Sequence, residues 1–270
     1  MHRPHLRLAS AVLASATLLL MATSPAGAVV NAQPDYANAF PNVGAIEYAS
    51  LSGDWFAGCS GTLIAQDLVL TAAHCVAVSA SDTIPTDQVR VNFNPALSFP
   101  ADPADPLAYD VAAVMVPPTL ARSGPGRAAG NVVLSSPWDD IALLRLTDDV
   151  VGISPAPVAG LGYLDAIDLR NATFTAVGYG INGFTIGNAV ITYSYRSFAT
   201  GVRALGHDAY PDRYLKISEA NCFGDSGGPL FHDGTVVGIT VWTNSERCEA
   251  PGLDFRVDSA VAQELISANL

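Results

Sequence analysis

The chain has 270 residues, of which 50% are hydrophobic and 14% charged, so it can bury a large core and is not a disordered chain. Its formal net charge of −12 repels phosphates, which argues against nucleic acids and anionic lipid surfaces as partners. The 23 glycines and 18 prolines interrupt the sequence often, which favours short strands and turns over long helices.

The N-terminus has the pattern of an exported protein. Arg3 and Arg7 precede an apolar run over 8–21, and a small-residue cleavage pattern ends at Ala28. These features predict a secretory signal peptide over 1–28 and a secreted, extracellular protein. The alternative is a membrane anchor, but the apolar run is too short to span a bilayer comfortably. We therefore expect no membrane attachment after cleavage.

The remaining chain has the pattern of an all-β protein with one helix near its C-terminus. Apolar or alternating runs predict strands at 43–48, 61–64, 68–71, 89–93, 111–116, 141–146, 173–177, 191–198 and 235–242. A helical apolar pattern, capped by Asp258 or Ser259, predicts a helix over 258–268. The glycine- and proline-rich segment 148–162 predicts a linker between two β halves.

Two further segments, 94–106 and 117–130, have the proline and glycine content of surface loops. Asp102, Asp105 and Asp110 lie in or near the first of them. We interpret them as solvated loop acids; a calcium site is the alternative.

The four cysteines, Cys59, Cys75, Cys222 and Cys248, all lie in the exported part of the chain. An oxidising compartment favours two disulfide bonds, but the sequence alone leaves three pairings open. A metal site is disfavoured because the chain has no C-x-x-C and no paired histidine spacing.

Histidine is scarce after the predicted cleavage, since only His74, His207 and His232 remain. His74 ends an apolar strand, precedes Cys75 and is flanked by small residues that leave room for a substrate; a structural histidine is the alternative. His207 and His232 have turn-like neighbours, which predicts surface positions.

Two other motifs can supply partners for such a histidine. Glycines surround Ser226 in the segment 222–230, where they allow backbone N–H groups to approach a substrate and stabilise a developing oxyanion. Asp139 and Asp140 precede an apolar run, and a buried aspartate needs a hydrogen-bond partner such as an imidazole N–H. Asp140 adjoins the run and is the better candidate of the two.

The segments 71–75, 140–144 and 224–229 resemble, in the family's order, the His, Asp and Ser motifs of the trypsin/chymotrypsin family of serine proteases. The resemblance implies that Ser226 is the nucleophile, that His74 is general base and then acid, and that Asp140 orients the imidazole. The N–H groups of Gly224 and Ser226 would form the oxyanion hole. This chemistry cleaves protein or peptide substrates and implies no cofactor and no metal.

The resemblance also implies a fold. We expect two six-stranded antiparallel β-barrels of the chymotrypsin type, over about 29–150 and 160–257, with the C-terminal helix over 258–268. The site would lie in the cleft between the barrels of a monomer. By the same resemblance, Cys59 pairs with Cys75, and Cys222 pairs with Cys248.

Activation in this family uses a new N-terminal ammonium that pairs with the aspartate before the nucleophile, here Asp225. The segment that starts at Val29 resembles the family's mature N-terminus, and Pro41 follows in the family's register. Because the predicted signal cleavage falls just before Val29, we hypothesise that signal removal itself creates the activating end. The alternative is that Asp225 only caps a turn.

The substrate pocket departs from the family pattern. By resemblance its positions are Ala220, Val241, Trp242, Thr243 and Gly252. Alanine replaces the aspartate that binds Lys or Arg in trypsin-like members, and threonine replaces a glycine at the mouth. The sequence therefore predicts a preference for small or medium apolar side chains.

Two acidic residues near the pocket positions need an interpretation. Glu219 and Asp254 are close in sequence to the pocket residues, and we interpret them as structural or solvated rather than as a replacement for the missing acid.

A rival to the protease function is a catalytically silent protease fold that serves as a binding or adhesion protein. The only feature that supports it is Val241, which stands in place of a family serine. A second rival is a processing protease with a narrow target.

Overall fold

The computed structural model describes residues 32–98, 102–120, 126–128, 131–133, 138–181, 195–207, 210–218, 221–243, 248 and 251–270. The predicted signal peptide, Val29, Glu219 and Ala220 lie outside the described residues.

The described chain is mostly β, as the sequence predicts. The strands in chain order are β1 (Gln33–Pro34), β2 (Val43–Ala49), β3 (Trp55–Ala65), β4 (Leu68–Thr71), β5 (Ala77–Ser79), β6 (Asp82–Thr83), β7 (Val89–Asn92), β8 (Ala108–Met115), β9 (Gly126–Ala128), β10 (Asn131–Val133), β11 (Ala142–Leu146), β12 (Phe174–Gly178), β13 (Ser197–Val202), β14 (Ala204–His207), β15 (Tyr214–Ile217), β16 (Pro229–His232), β17 (Thr235–Thr243) and β18 (Gly252–Arg256). The helices are α1 (Ala73–Val76), α2 (Tyr163–Ala166) and α3 (Ala260–Ser267), with a 3-10 turn at Thr86–Gln88.

The first half of the chain forms a closed antiparallel barrel in the order β11-β4-β3-β2-β7-β8. Its strands carry the branched and aliphatic residues that fill a small barrel, and Ile46, Leu63, Val69, Val91 and Leu143 are fully buried. Closure leaves this barrel without a free edge strand.

The second half curls in the same way. Its sheet has the order β1-β13-β12-β16-β17-β18-β15-β14. Only Arg203 separates β13 from β14, so both belong to one bent strand, which pairs with β12 through its first part and with β15 through its last. Its six chain segments repeat the strand order of the first barrel, and β1 is an added edge strand. The prediction of two chymotrypsin-like barrels with a C-terminal helix is confirmed.

The predicted linker lies against both barrels. The Val150 and Ala156 N–H groups donate to carbonyls of Gln66 and Leu63 in the first barrel, at 2.7 and 2.8 Å. The Ala159 N–H donates to Val236 in the second barrel at 2.9 Å. The connection therefore fixes one barrel against the other and with it the cleft between them.

The C-terminal helix is two residues shorter at its start than predicted. Ser259 is the N-cap of α3, and its side chain accepts from the Ala262 N–H. Asp258, the other candidate cap, instead accepts from the Leu164 N–H at 2.8 Å. Within the described part of the chain, no helix has the length and apolar character needed to span a membrane.

Candidate active site

His74 and Asp140 form the best-defined polar contact of the cleft. His74 lies in α1, directly after the buried strand β4, and Asp140 precedes β11, which pairs with β4. The His74 Nδ1 is 2.7 Å from Asp140 Oδ2, and the His74 backbone N–H donates to Oδ1 at 2.8 Å. Asp140 is fully buried, whereas the His74 side chain is 30% exposed. The Asp140 carboxylate therefore fixes the imidazole ring, and the opposite edge of that ring stays open to the cleft.

The pKa of His74 is raised above its ordinary value, although its causes oppose each other. Burial by itself would lower the pKa, because it disfavours the imidazolium. The charge of Asp140 and its hydrogen bond to the ring act in the other direction and outweigh burial. The arrangement thus makes the imidazole a better proton acceptor than a free histidine.

Asp139, the neighbour of Asp140, points to other partners. Its Oδ1 accepts from Arg213 Nε at 2.9 Å and its Oδ2 accepts from the Thr119 hydroxyl at 2.5 Å. The Tyr214 hydroxyl donates to the carbonyl of Trp138. Strand β15 and its flank therefore hold the segment 138–140 in place, with Asp140 alone of the two acids facing His74.

The loop that carries Ser226, residues 222–228 and called the serine loop below, contains glycines in a left-handed backbone conformation. Gly224 and Gly227 have φ of 92° and 78°, in the left-handed region that favours glycine. A Cβ on Gly227 would lie 2.1 Å from Thr71 Oγ1 and 2.4 Å from the Ser60 carbonyl oxygen. The serine loop therefore packs against the first barrel so closely that only glycine has room.

The N–H groups of this loop differ in their partners. The N–H groups of Asp225, Gly227 and Gly228 donate to backbone carbonyls at 3.1, 2.7 and 2.8 Å. Within the described residues, the N–H groups of Gly224 and Ser226 have no acceptor. These two donors flank Asp225 and remain available for an oxygen atom bound in the cleft.

A cavity of about 320 Å³ joins the histidine and the serine. Its lining residues are His74, Trp138, Asn221, Cys222, Phe223, Ser226, Thr240, Val241, Trp242 and Thr243. Three of the predicted pocket positions, Val241, Trp242 and Thr243, line it. Gly252 lies behind the wall, where an added Cβ would be 2.9 Å from Asn221 Nδ2.

Sequence reasoning missed Trp138, Asn221, Phe223 and Thr240 as cavity residues. The Trp138 ring lies beside His74, tilted by 33°, with ring centroids 5.8 Å apart. Each directly adjoins a residue already singled out, namely Asp139, Cys222, Gly224 or Val241, and that adjacency is the signal that could have found it.

Asp254 lies beneath Asn221. Its side chain is fully buried, and its Oδ1 accepts from Asn221 Nδ2 at 2.9 Å. Burial raises the pKa of Asp254 to about 7, while the Asn221 hydrogen bond lowers it. Within the described residues, the second carboxylate oxygen and the Asn221 side-chain oxygen have no hydrogen-bond partner. Asp254 is thus buried beside the pocket and is not a solvated acid.

Asp225 is also buried, directly before the serine. Its carboxylate accepts the N–H groups of Gly180 at 2.9 Å and Cys222 at 2.8 Å. Burial raises the pKa of Asp225 well above its ordinary value, although both N–H groups act to lower it, and the charge of Asp254 raises it further. An ionised Asp225 would therefore be stabilised by a cation.

The structure contains disulfide bonds between Cys59 and Cys75 and between Cys222 and Cys248. The first joins β3 to the helix that carries His74, and the second joins the serine loop to the segment before β18. Cys59, His74 and Cys75 are the one group of metal-ligand side chains found together in the described chain, and the disulfide occupies both sulfurs.

Asp102 and Asp110, in and near the predicted loop 94–106, are exposed, as predicted for solvated acids, whereas Asp105 is partly buried. Asp105 accepts from the side chains of Asn92 and Asn94, at 3.2 and 3.3 Å. The guanidinium of Arg90 donates to the carbonyl of Asp102 at 3.0 Å and to Glu47 at 2.6 Å. The cation that organises this loop is therefore an arginine side chain.

The prediction of a surface position is wrong for His232. Its side chain is 15% exposed, packs against Phe174 and forms a 2.9 Å hydrogen bond with the Tyr163 hydroxyl. His232 ends strand β16 and leads into the exposed turn at Asp233 and Gly234, but its own side chain is partly covered because α2 brings Tyr163 beside it. His207 ends β14.

Comparison with known proteins gives the same family throughout. A sequence model described as Trypsin matches residues 29–264. Alkaline trypsin A of Manduca sexta is 26% identical over 239 residues, covering 81% of this chain and 82% of the relative. Chymotrypsin-like elastase family member 1 of Canis lupus familiaris is 28% identical over 225 residues, covering 78% and 80%.

Solved structures agree in fold. Human heparin binding protein superposes with a TM-score of 0.64 at 16% identity, covering 88% of this chain and 95% of that one. Its atomic-resolution structure gives a TM-score of 0.62 at 17% identity, covering 89% and 96%. At these identities the likeness concerns the fold alone.

Proposed function

Because this chain belongs to the trypsin family and is a serine endopeptidase, we propose that His74, Asp140 and Ser226 are its catalytic triad. The observation that carries the proposal is the buried Asp140 carboxylate 2.7 Å from His74 Nδ1, with His74 and Ser226 lining one cavity. In this arrangement His74 takes the proton of the Ser226 hydroxyl as the oxygen attacks the peptide carbonyl.

The N–H groups of Gly224 and Ser226, which have no acceptor among the described residues, supply the second part of the mechanism. The tetrahedral intermediate carries its negative charge on the former carbonyl oxygen. Gly224 and Ser226 N–H would donate to that oxygen, and fixed backbone dipoles stabilise it without reorganisation. The imidazolium of His74, stabilised by Asp140, then protonates the leaving amine, and water hydrolyses the acyl-enzyme by the same route in reverse.

We also propose that activation follows signal removal. Cleavage after Ala28 would give Val29 a free ammonium, and Asp225 is a buried carboxyl group whose raised pKa marks the need for a cation. The ion pair would fix the loop that carries Gly224 and Ser226. N-terminal sequencing of active enzyme tests this, and any start other than Val29 would contradict it.

For specificity we propose small or medium apolar side chains at the cut, in preference to Lys or Arg. The apolar and aromatic lining, with Val241 and Trp242 on the wall and Thr243 at the mouth, supports this preference. A panel of peptide substrates that differ only in that residue tests it. A clear preference for Arg would overturn it.

The setting of the enzyme completes the proposal. Residues 1–28 act as a signal peptide, and the mature chain works as a secreted monomer on protein or peptide substrates, without nucleic acid or membrane attachment. The acidic net charge supports the exclusion of nucleic acid as a partner.

The deciding experiment is intact-mass measurement of the secreted protein before and after reaction with a fluorophosphonate, followed by peptide mapping. We expect a chain that begins at Val29 and carries the adduct on Ser226. A folded chain without an adduct would favour the rival, a catalytically silent binding protein. The polyanion named for the heparin binding structures is a poor match for a net charge of −12.

A further inference from the structure

Arg196 forms a buried ion pair away from the cleft. Its guanidinium is fully buried and donates from Nε to Asp35 Oδ2 at 2.8 Å. Nη1 donates to the carbonyl of Val43 at 2.9 Å and contacts the Tyr179 hydroxyl at 3.2 Å. Nη2 donates to the side-chain oxygen of Asn38. All three nitrogens are therefore used: Nε and Nη2 bind the segment 33–40, and Nη1 binds Val43 and Tyr179.

These partners come from three places: the N-terminal segment, the start of the first barrel and the end of β12 in the second. Asp35 and Asn38 belong to the N-terminal segment 33–40, whose strand β1 pairs with β13 directly after Arg196. Val43 starts the first barrel, and Tyr179 follows β12 of the second. Arg196 itself is fixed by its backbone, since its carbonyl accepts the Asp35 N–H at 2.9 Å. A buried charge is tolerated only when it is paired in this way.

From this cluster a short path leads to the serine loop. The ring of Tyr179 lies 5.9 Å from the Arg196 guanidinium. The backbone N–H of Tyr179 donates to Ser60 Oγ at 2.9 Å. Ser60 Oγ in turn donates to the Gly224 carbonyl at 2.8 Å. The next N–H along the chain, that of Gly180, donates to Asp225 Oδ1 at 2.9 Å. The segment 179–180 thus contacts Arg196 through the Tyr179 hydroxyl. Its two N–H groups bind the Asp225 carboxylate and the Ser60 hydroxyl, and that hydroxyl donates to Gly224.

We propose that Arg196 is a positioning residue of the active site, which couples the docking of the N-terminal segment to the conformation of the Ser226 loop. This rests on the proposed function in one respect, because Asp35 lies six residues after the proposed start at Val29. With Asp35 held, the chain end is confined near the protein, and its effective concentration at Asp225 rises. With Tyr179 held, its N–H keeps the Ser60 hydroxyl directed at the Gly224 carbonyl, and the Gly180 N–H keeps its bond to the Asp225 carboxylate.

The chain offers a matched control in the first barrel. Arg90 is a buried arginine that donates to Glu47 at 2.6 Å, and its guanidinium lies 4.5 Å from the Trp55 ring centroid. The partners of Arg90 lie in the first barrel and in the loop that contains Asp102. Among the described residues, Arg90 has no contact with segment 33–40 or with the serine loop. Arg196→Lys and Arg90→Lys therefore perturb equally buried ion pairs, of which only the first is on the proposed path.

The experiment uses the secreted protein and two rates. One is the rate constant for fluorophosphonate labelling of Ser226, and the other is the rate of acetylation of the Val29 α-amine, followed by mass of the N-terminal peptide. Both are measured where thermal unfolding shows each variant fully folded. We expect Arg196→Lys to slow labelling by about 5- to 150-fold, the usual range for coupled sites, and to speed acetylation. Arg90→Lys should leave both rates near those of the wild type.

Equal effects of the two lysine variants would overturn the proposal, because Arg196 would then act through stability alone. If Arg196→Lys does not fold, Tyr179→Phe decides, since it removes only the hydroxyl that contacts Arg196, Val43 and Asn94. Unchanged rates in that variant would also overturn the proposal. A wild type that is never labelled refutes the proposed function instead, and the acetylation rates then test the coupling by themselves.

Discussion

At the scale of single residues, two adjacent aspartates have separate tasks. Asp140 binds both nitrogens that His74 presents to it, while Asp139 binds Arg213 and Thr119. The difference follows from what each side chain faces, since Asp140 faces His74 in α1 and Asp139 faces Arg213 and Thr119. A carboxylate that fixes an imidazole affects its tautomer and pKa, and one that binds an arginine affects packing.

Replacing each aspartate by asparagine should therefore give different losses. In Asp140→Asn the ring loses its charge partner and its tautomer, so we expect kcat to fall by about 10⁴-fold with little change in KM. The pKa of His74 should also fall, since Asp140 is what raises it, and the acid limb of the kcat/KM profile should move to lower pH. Asp139→Asn is the control and should lower stability while keeping the acid limb in place. A similar loss of kcat in both variants would contradict this assignment.

Asp254 gives a second prediction at this scale. Its pKa of about 7 means that it is neutral below and negative above that pH, and Asn221 separates it from the cavity. We expect the ratio of kcat/KM for a Lys substrate to that for a Leu substrate to rise by up to about tenfold from pH 6 to 8, as the ionised fraction rises. His74 titrates for both substrates and cancels in the ratio.

The matched variant is Asp254→Asn, which keeps the shape and removes the charge. Its substrate ratio should not change with pH. Asp225 is the other buried acid that interacts with Asp254, so the stability of each variant is measured across the same pH range. A pH-dependent ratio that survives in Asp254→Asn would assign the effect to another group.

At the scale of elements, two turns show when glycine is required. Gly227 and Gly234 both have φ of 78°, but an added Cβ meets Thr71 and the Ser60 backbone at Gly227 and nothing within 4 Å at Gly234. The first turn packs between the barrels, and the second is the tip of the β16–β17 hairpin. The same backbone conformation therefore carries a steric constraint in only one of them.

Gly227→Ala should accordingly cost more than Gly234→Ala. Left-handed backbone strain alone costs about 1–2 kcal/mol, which is the expected loss at Gly234. At Gly227 overpacking adds about 1–3 kcal/mol, and the displaced serine loop should also stop fluorophosphonate labelling. Urea unfolding and labelling of both variants check this. Equal losses of stability would contradict the tight contact between the loop and Thr71.

The strands show how far sequence patterns reach. Leu68–Thr71 was predicted with its observed bounds, because it is a continuous buried apolar run. Strand β18 was missed because it contains Asp254 and Arg256, which are buried through pairing with Asn221 and Asp258. Alternation of apolar and polar residues identifies a strand only where polar residues face water. A buried polar network lacks that signal.

The site divides in the same way. The motifs around His74, Asp140 and Ser226 are local, so a single sequence displays them. The partners that orient them are not local, since Ser60, Tyr179 and Arg196 are distant along the chain from the serine loop. The sequence could not show that Asp254 lies beneath Asn221, because that contact depends on the pairing of β17 with β18.

At the scale of the whole molecule, the site depends on contact between the two barrels. The Ser60 N–H in the first barrel donates to the Ser226 carbonyl at 2.8 Å, and Ser60 Oγ donates to Gly224. The 148–162 segment and Arg196 add further ties between the barrels. The proposed nucleophile, Ser226, and its proposed base, His74, come from different barrels, so any shift of one barrel against the other would change the geometry that the proposed catalysis needs.

The overall charge gives the last prediction. The chain has a net charge of −12, and removal of Arg3 and Arg7 with the signal peptide would make it −14. Such a field attracts cationic peptides over roughly 30 Å at 0.01 M salt and over only about 8 Å at 0.15 M. We expect kcat/KM for a substrate with lysines far from the scissile bond to fall several-fold between these salt concentrations.

A neutral peptide with the same residues around the cut is the control. Its kcat/KM should change little, because long-range attraction acts only on charge and the pocket contacts are the same. If both substrates lost rate equally, the salt would be acting on the enzyme itself, for example on the buried pairs at Arg196 or Arg90. Those pairs are shielded from solvent, so screening should affect them far less than the exposed acids that carry most of the net charge.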